Sequence, residues 1–359
     1  MTPSISELVE LVAAMPPGTR QAFERIFSVD VMQGALNIPP QMLPWIEKQF
    51  GSVESVTSQK VVKVSNRVTS ECSIFNPLRS LRPHHFSPGH YGQPAVLQET
   101  EDDPFSNPLE NTPEDPFGRI EGKHCITASN VAKYEGYHGV VIFKNYDPLQ
   151  FGCSEVADYL DTAWKWAQSA HAFDPSARYF LFLWNCMNRA GASIPHGHAQ
   201  VVLGRGSHYA KVEQLRRAAV AYRKEHGSDY FDDLFVAHEA LGLAWQHGDA
   251  RVMVYLAALK LNELMVLAPG LTESLKDSVY RVLAGFRNRL NVTSFNVGIV
   301  FPQLGDATGW DGFPVVARMV DRGNSGDVSS DIGAMEFYGA NVVSSDPFHT
   351  ASALTKYFR

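Results

Sequence analysis

Residues Tyr179 to Leu203 run YFLFLWNCMNRAGASIPHGHAQVVL: an apolar segment, a polar loop, then a second alternating segment. The apolar run Tyr179–Trp184 breaks at Asn185 into small and polar residues. After the loop, His196, His198 and Gln200 share one parity, so a strand there would send all three to one face. Gly197 and Ala199 would face the other way and let a neighbour pack close behind. Three hydrogen-bonding side chains in a row are costly to bury unless a polar ligand or partner satisfies them.

Outward from this stretch, the pattern strand, strand, helix, strand, strand recurs. Lys123–Ala128 and His138–Phe143 read as strands, and Ser154 can cap a helix running to about Ala170. Tyr179–Trp184 and His196–Leu203 close the first unit. A connecting helix carries Val212, Leu215, Ala219 and Tyr222 along one side. Then Arg251–Leu259 and Asn262–Leu267 read as strands, Thr272–Leu290 as a helix, and Ser294–Phe301 and Pro314–Val320 as strands. The repeat rests on pattern rather than identity. Where the first unit has its histidines, the second reads Phe-Pro-Val-Val-Ala-Arg.

The sequence thus divides into a helical N-terminal arm (1–55), a first unit (56–205), a connecting helix (206–240) and a second unit (241–359). The arm opens with a capping box, Ser4-Ile-Ser-Glu7. Thr57–Val68 is polar and β-branched, a strand pattern. Residues 87–118 are rich in Pro, Asp and Glu, with EDDPF and EDPF near-repeats, and read as a long acidic, mobile loop.

The composition narrows the class. Hydrophobic residues make up 45% and charged residues 19%, ordinary for a globular chain. The net charge of −7 disfavours a nucleic-acid backbone as partner. No apolar run approaches the length of a membrane span, and the start lacks the marks of a secretion signal. Cys72, Cys125, Cys153 and Cys186 form no CxxC pair, which reads as free thiols in a reducing compartment and makes a structural zinc site unexpected. The expected location is cytoplasmic.

The run from Asn185 to Gln200 resembles the histidine-triad superfamily, and within it the galactose-1-phosphate uridylyltransferase-like branch. That branch has an asparagine eleven residues before the first histidine of a Gly-x-Ser-x-Pro-His-x-His-x-Gln run. Asn185, Gly191, Ser193, Pro195, His196, His198 and Gln200 match it at seven positions over sixteen residues. Upstream, Arg79-Ser-Leu-Arg82-Pro83 looks like the branch's Arg-x-x-Arg-Pro nucleotide element. Two forked guanidiniums there suit a phosphate; the plain alternative is a pair of surface arginines. Asn130, ahead of Gly139–Phe143, is similar to an asparagine that holds the nucleoside.

The resemblance implies an α+β fold of two fused units, each an antiparallel sheet with packed helices, plus the N-terminal arm. It also implies a homodimer. In function it implies an enzyme that moves a nucleoside monophosphate between a nucleotide sugar and a sugar 1-phosphate through a nucleotidyl-histidine. His198 is the expected nucleophile, because a neutral imidazole can approach a phosphorus ringed by negative oxygens. Gln200 would donate to an α-phosphate oxygen, while Ser193 and the backbone at Gly191 and Ala192 would cradle the departing phosphate. His196 and Asn185 would orient these groups, and Arg79, Arg82 and Asn130 would hold the nucleotide. There are departures: no CxxC for the zinc of some members, and no counterpart of the hexose-binding lysine and glutamine around Ser330–Val342. Two other readings stand beside transfer between sugars. One is a phosphorylase of dinucleoside polyphosphates or GDP-sugars; the other is a nucleotide-binding protein without turnover. His84, His85, His124 and His138 are candidates for supporting or metal roles, and read more simply as solvated loop histidines.

Overall fold

The computed structural model describes residues 2–81, 103–325, 332 and 334–359. The arm and its neighbours comprise α1 (Leu8–Ala13), α2 (Pro17–Ile26), β1 (Phe27–Ala35), α3 (Leu43–Phe50), α4 (Val53–Thr57), β2 (Ser58–Asn66) and β3 (Cys72–Phe75). Then come α5 (Pro108–Asn111), β4 (Cys125–Ser129), β5 (Tyr137–Phe143), α6 (Cys153–Phe173), β6 (Ala177–Cys186) and β7 (His198–Arg205). α7 (Ala210–His226) and α8 (Tyr230–Glu239) lead to β8 (Ala244–His247), β9 (Ala250–Val254) and β10 (Leu261–Ala268). α9 (Glu273–Arg289), β11 (Phe295–Val300), β12 (Val315–Asp321), β13 (Ala340–Val343) and α10 (Pro347–Phe358) complete the chain.

The order strand, strand, helix, strand, strand occurs twice, as β4-β5-α6-β6-β7 and β9-β10-α9-β11-β12. The two sets join edge to edge into one antiparallel sheet, ordered β4-β5-β7-β6-β11-β12-β10-β9-β8. The seam is the β6–β11 pair, where Leu183 lies opposite Gly298. One cross-strand row runs Val140, Gln200, Leu183, Gly298, Arg318, Met265. Directly opposed residues share a face, so Gln200 and Arg318 sit on the same side of the sheet at equal distances from the seam. The symmetry extends to the flanks: Asn130 N–H donates to His138 O at 2.9 Å, and Tyr255 N–H donates to Glu263 O at 3.0 Å.

The apolar residues of β6 divide by parity. Phe180, Phe182 and Trp184 are buried toward the α6 and α9 side, while Leu181, Leu183 and Asn185 are half-buried on the other face. On the helix side Phe143 stacks on Tyr159 at 3.7 Å, and Trp166 is fully buried against β5. Gly139 makes room for that indole: a Cβ there would come within 2.8 Å of it. Burying each such side chain contributes roughly 1.5–3 kcal/mol. Helices α6 and α9 therefore claim one face; on the other, α7 and α8 pack against the second unit and the first unit's part is left for the site.

Three local expectations need correction. The arm is helical at both ends, but Phe27–Ala35 is a strand paired along its whole length with β2. Together with β3 and a parallel β13 they form a second sheet, β1-β2-β3-β13. Asp30–Ala35, six of the nine β1 residues, are exposed, Val31 and Met32 among them, so the strand buries little of its sequence. Helix α6 begins one residue before Ser154; its N-cap is Gly152, whose N–H donates to Glu155 Oε2 at 3.1 Å. Finally, β7 starts at His198, so His196 precedes the strand rather than standing in its row. Among the described residues no helix is long and apolar enough to cross a membrane.

Candidate active site

His198 opens β7 and is almost fully buried. Its Nδ1 lies 2.8 Å from the carbonyl oxygen of His196. A carbonyl only accepts, so Nδ1 carries the proton and Nε2 keeps its lone pair free. Burial pushes the His198 pKa below the ordinary histidine value, which keeps the ring neutral. The backbone thus sets the tautomer a nucleophile needs.

His196 is bound at both ring nitrogens. Nε2 donates to Phe143 O at 2.8 Å, and Nδ1 faces Asp103 Oδ2 at 2.6 Å with both side chains buried. A proton is shared across that pair, since a carboxylate and a bare nitrogen would repel. The Phe105 ring packs edge-on to both imidazoles, at 5.9 Å from His196 and 5.3 Å from His198. Gly197 between them is a steric necessity: a Cβ there would stand 2.7 Å from the Phe143 ring and 3.0 Å from Asn145 O.

Gln200 is the third member. Its Oε1 accepts from His138 Nε2 at 2.9 Å and from the Tyr134 hydroxyl at 3.1 Å. With the oxygen doubly engaged, the amide NH2 is the end left to donate. His138 is fully buried on β5, not a solvated loop residue; burial lowers its pKa, and the neutral ring accepts from Tyr134 N–H at Nδ1, 3.4 Å away. Asn130 adjoins them, its Nδ2 3.1 Å from His138 Nε2 and its Oδ1 fixed by Ala132 N–H.

Asn185 shares the face of Gln200 by parity along β6. Its Oδ1 accepts from Asn296 Nδ2 at 2.7 Å, and Asn296 also donates to Ala190 O at 2.8 Å. Asn296 belongs to β11, so the second unit braces the loop ahead of the histidines. In that loop Met187 and Gly191 have φ of 72° and 99°, a left-handed backbone that glycine accepts freely at the second position. The loop carries Gly191, Ala192 and Ser193 outward, with Gly191 and Ser193 exposed.

His196, His198, Gln200, Asn130 and Asn185 therefore lie around one region of the open sheet face. Arg79 does not join them: it is exposed on a 3-10 turn after β3, and among the described residues no contact links it to the histidines. Arg82 lies outside the described residues, as do His84, His85 and the first half, 87–102, of the acidic stretch 87–118. The described part of that stretch is packed rather than loose. Asp103 and Phe105 cover the histidines, and Asp115 accepts from the Trp166 indole at 2.7 Å. The near-repeats hold these anchors, Asp103-Pro-Phe105 and Asp115-Pro-Phe117. Asp103, Phe105, Tyr134 and Asn296 are the members that sequence reading missed, and His138 is a candidate it set aside as solvated; the repeated Asp-Pro-Phe was a signal that could have flagged Asp103 and Phe105.

No family model matches the sequence, and no curated relative matches it. Solved structures do resemble the fold. An ADP-glucose phosphorylase from Arabidopsis thaliana superposes with a TM-score of 0.62 at 17% identity, covering 81% of this chain and 97% of that one. A uridylyltransferase gives 0.57 at 15% identity, covering 82% and 97%. A galT-like protein from Arabidopsis thaliana gives 0.55 at 16%, covering 72% and 98%. The chain has the fold of these uridylyltransferase-like proteins, the architecture that the histidine-triad resemblance in its sequence implies.

Proposed function

We propose that the chain is a nucleotidyltransferase working through a covalent nucleotidyl-His198. The observation that carries this reading is the state of His198: neutral, with Nδ1 held by the His196 carbonyl and Nε2 free, beside a Gln200 whose amide is turned to donate. His198 Nε2 attacks the α-phosphorus of a nucleotide sugar as the bond to the sugar phosphate breaks. The second substrate, itself a phosphate, then attacks the same phosphorus and the P–N bond breaks, restoring His198. Gln200 holds a non-bridging oxygen without titrating, and Ser193 with the Gly191–Ala192 backbone receives the departing phosphate. Asn185 and Asn130 position the nucleotide, and Arg82, which lies outside the described residues, balances the phosphate charge. A homodimer in solution belongs to the same proposal.

A second reading differs only in the acceptor: inorganic phosphate instead of a sugar 1-phosphate, which makes the enzyme a phosphorylase. It is favoured by the absence of the hexose-binding lysine and glutamine, and by the name of one structural neighbour, ADP-glucose phosphorylase. The test is partial exchange. Supplied with a nucleotide sugar and labelled sugar 1-phosphate alone, the enzyme should move label into the nucleotide sugar. Addition of inorganic phosphate should yield nucleoside diphosphate only if the phosphorylase reading is right. Exchange requiring a third reactant would rule out the covalent cycle.

A further inference from the structure

The loop ahead of the histidines meets the second unit across the seam, through side chains whose polarity is fixed. Asn185 and Asn296 lie directly opposite each other in the β6–β11 pair. The β6–β7 register, carried two residues beyond Leu183 and Gln200, brings Asn185 level with His198. Asn296 is held at both ends of its amide. Its Oδ1 accepts from Arg322 Nη1 at 2.5 Å, and its Nδ2 donates to Asn185 Oδ1 at 2.7 Å and Ala190 O at 2.8 Å. A guanidinium only donates and a carbonyl only accepts. Turning the Asn296 amide over would set donor against donor at Arg322 and acceptor against acceptor at Ala190. Its sense is settled twice.

The consequence passes to Asn185. Facing a donor, it gives Oδ1 to the seam and keeps Nδ2 on the other side of its amide. That Nδ2 makes no hydrogen bond among the described residues and stands beside the turn, 4.0 Å from where a Gly191 Cβ would lie. Arg322 is itself anchored: its N–H donates to Ser294 O at 2.9 Å, and its carbonyl accepts from Arg189 Nε. Arg189 and Ala190 thus tie the turn to Arg322 and Asn296, the same two residues that orient the amide. Gln200 is set by the same means, its oxygen taken by His138 and Tyr134.

We propose that Arg322 and Asn296 are positioning residues for the first unit's site. The donor-only guanidinium fixes Asn296, and Asn296 turns the Asn185 amide to donate to the phosphate held at the Gly191 turn. This rests on the reading of that turn as the seat of the departing phosphate. It gives the unit without histidines a part in the reaction that needs no contact with substrate. The donor it supplies is already oriented before the phosphate arrives, so no reorganisation opposes the step.

Equilibrium binding of adenosine, guanosine and uridine 5′-mono- and diphosphates to the full chain tests this. The diphosphate alone carries a phosphate to the Gly191 turn. For at least one base the wild type should bind it about tenfold more tightly than the monophosphate, the worth of one hydrogen bond to a charged group. Asn296→Asp keeps the shape and the Arg322 partner but only accepts, so Asn185 turns its oxygen to the phosphate. Diphosphate affinity should fall about tenfold, while monophosphate affinity stays within about twofold and shows that the fold is intact. Arg322→Met should narrow the preference, leaving Ala190 alone to hold Asn296, and Arg322→Lys, still a pure donor, should keep it. In an Asn185→Ala background, Asn296→Asp should weaken diphosphate binding no further. An equal loss there would mean that the new carboxylate merely repels the phosphate, and would overturn the proposal. So would a wild type without the preference, or an Asn296→Asp variant that keeps it. Binding rather than turnover is read, so a missing His198 adduct would sink the catalytic reading and leave this result standing.

Discussion

At the scale of single residues, the proposed chemistry rests on hydrogen bonds that set the tautomer of one side chain and the orientation of another. His198 is fit for the proposed nucleophile because the His196 carbonyl accepts a hydrogen bond from its Nδ1, and Gln200 for the proposed donor because His138 and Tyr134 occupy its oxygen. The lowered pKa of His198 has a direct consequence. The reactive neutral ring persists below the ordinary histidine pKa of about 6.5, so the acid limb of kcat/KM should fall at a lower pH than that; a limb centred at or above it would contradict the burial argument. Asp103→Ala should lower kcat on the order of 100-fold with little change in KM, because it frees the His196 ring from its carboxylate without touching the nucleotide. Steady-state kinetics of the variant separates the two constants. The histidines, Gln200 and Asn185 were legible in the sequence because the motif is local. Asp103 was not, because its partner is far along the chain and the acidic context suggested a solvated loop.

At the scale of elements, strand order and helix placement were readable from the apolar periods, and the edges were not. The doubly apolar β6 hid which parity faced the helices; only packing against α6 and α9 decides it. β1 was missed because it is largely exposed and its apolar alternation, Phe27, Val29, Val31, is short and lost at Met32–Ala35. Glycine positions report on these packings. Gly197→Ala should cost about 1–3 kcal/mol, since the new Cβ meets the Phe143 ring and a backbone oxygen that cannot both retreat. Asp115→Ala should cost a similar ~1–3 kcal/mol by orphaning the buried Trp166 indole N–H. Urea unfolding of both variants against wild type measures these losses directly.

At the scale of the whole molecule, the nine-stranded sheet has two related halves, and the second half serves the first. Asn296 of the second half braces the loop ahead of the histidines of the first, a dependence that pattern alone could not reveal because it crosses the seam. Two buried histidines away from the site tie global stability to pH. Burial pushes the pKa of His208 and of His238 down to about 4. Between the unfolded value of about 6.5 and that folded value, the unfolded chain binds protons that the native chain does not. Stability should therefore decline as pH falls through this window, by up to about 1.4 kcal/mol per pH unit for each histidine. Denaturation midpoints that hold constant from pH 6.5 to 4.5 would refute this. The central claim is chemical, and intact-protein mass tests it most directly. Wild type and His198→Ala are each mixed with a panel of nucleotide sugars and dinucleoside polyphosphates. The account predicts an acid-labile adduct of one nucleoside monophosphate on the wild type alone, its mass naming the base. No adduct with any donor while binding persists, or an equal adduct on His198→Ala, would contradict it.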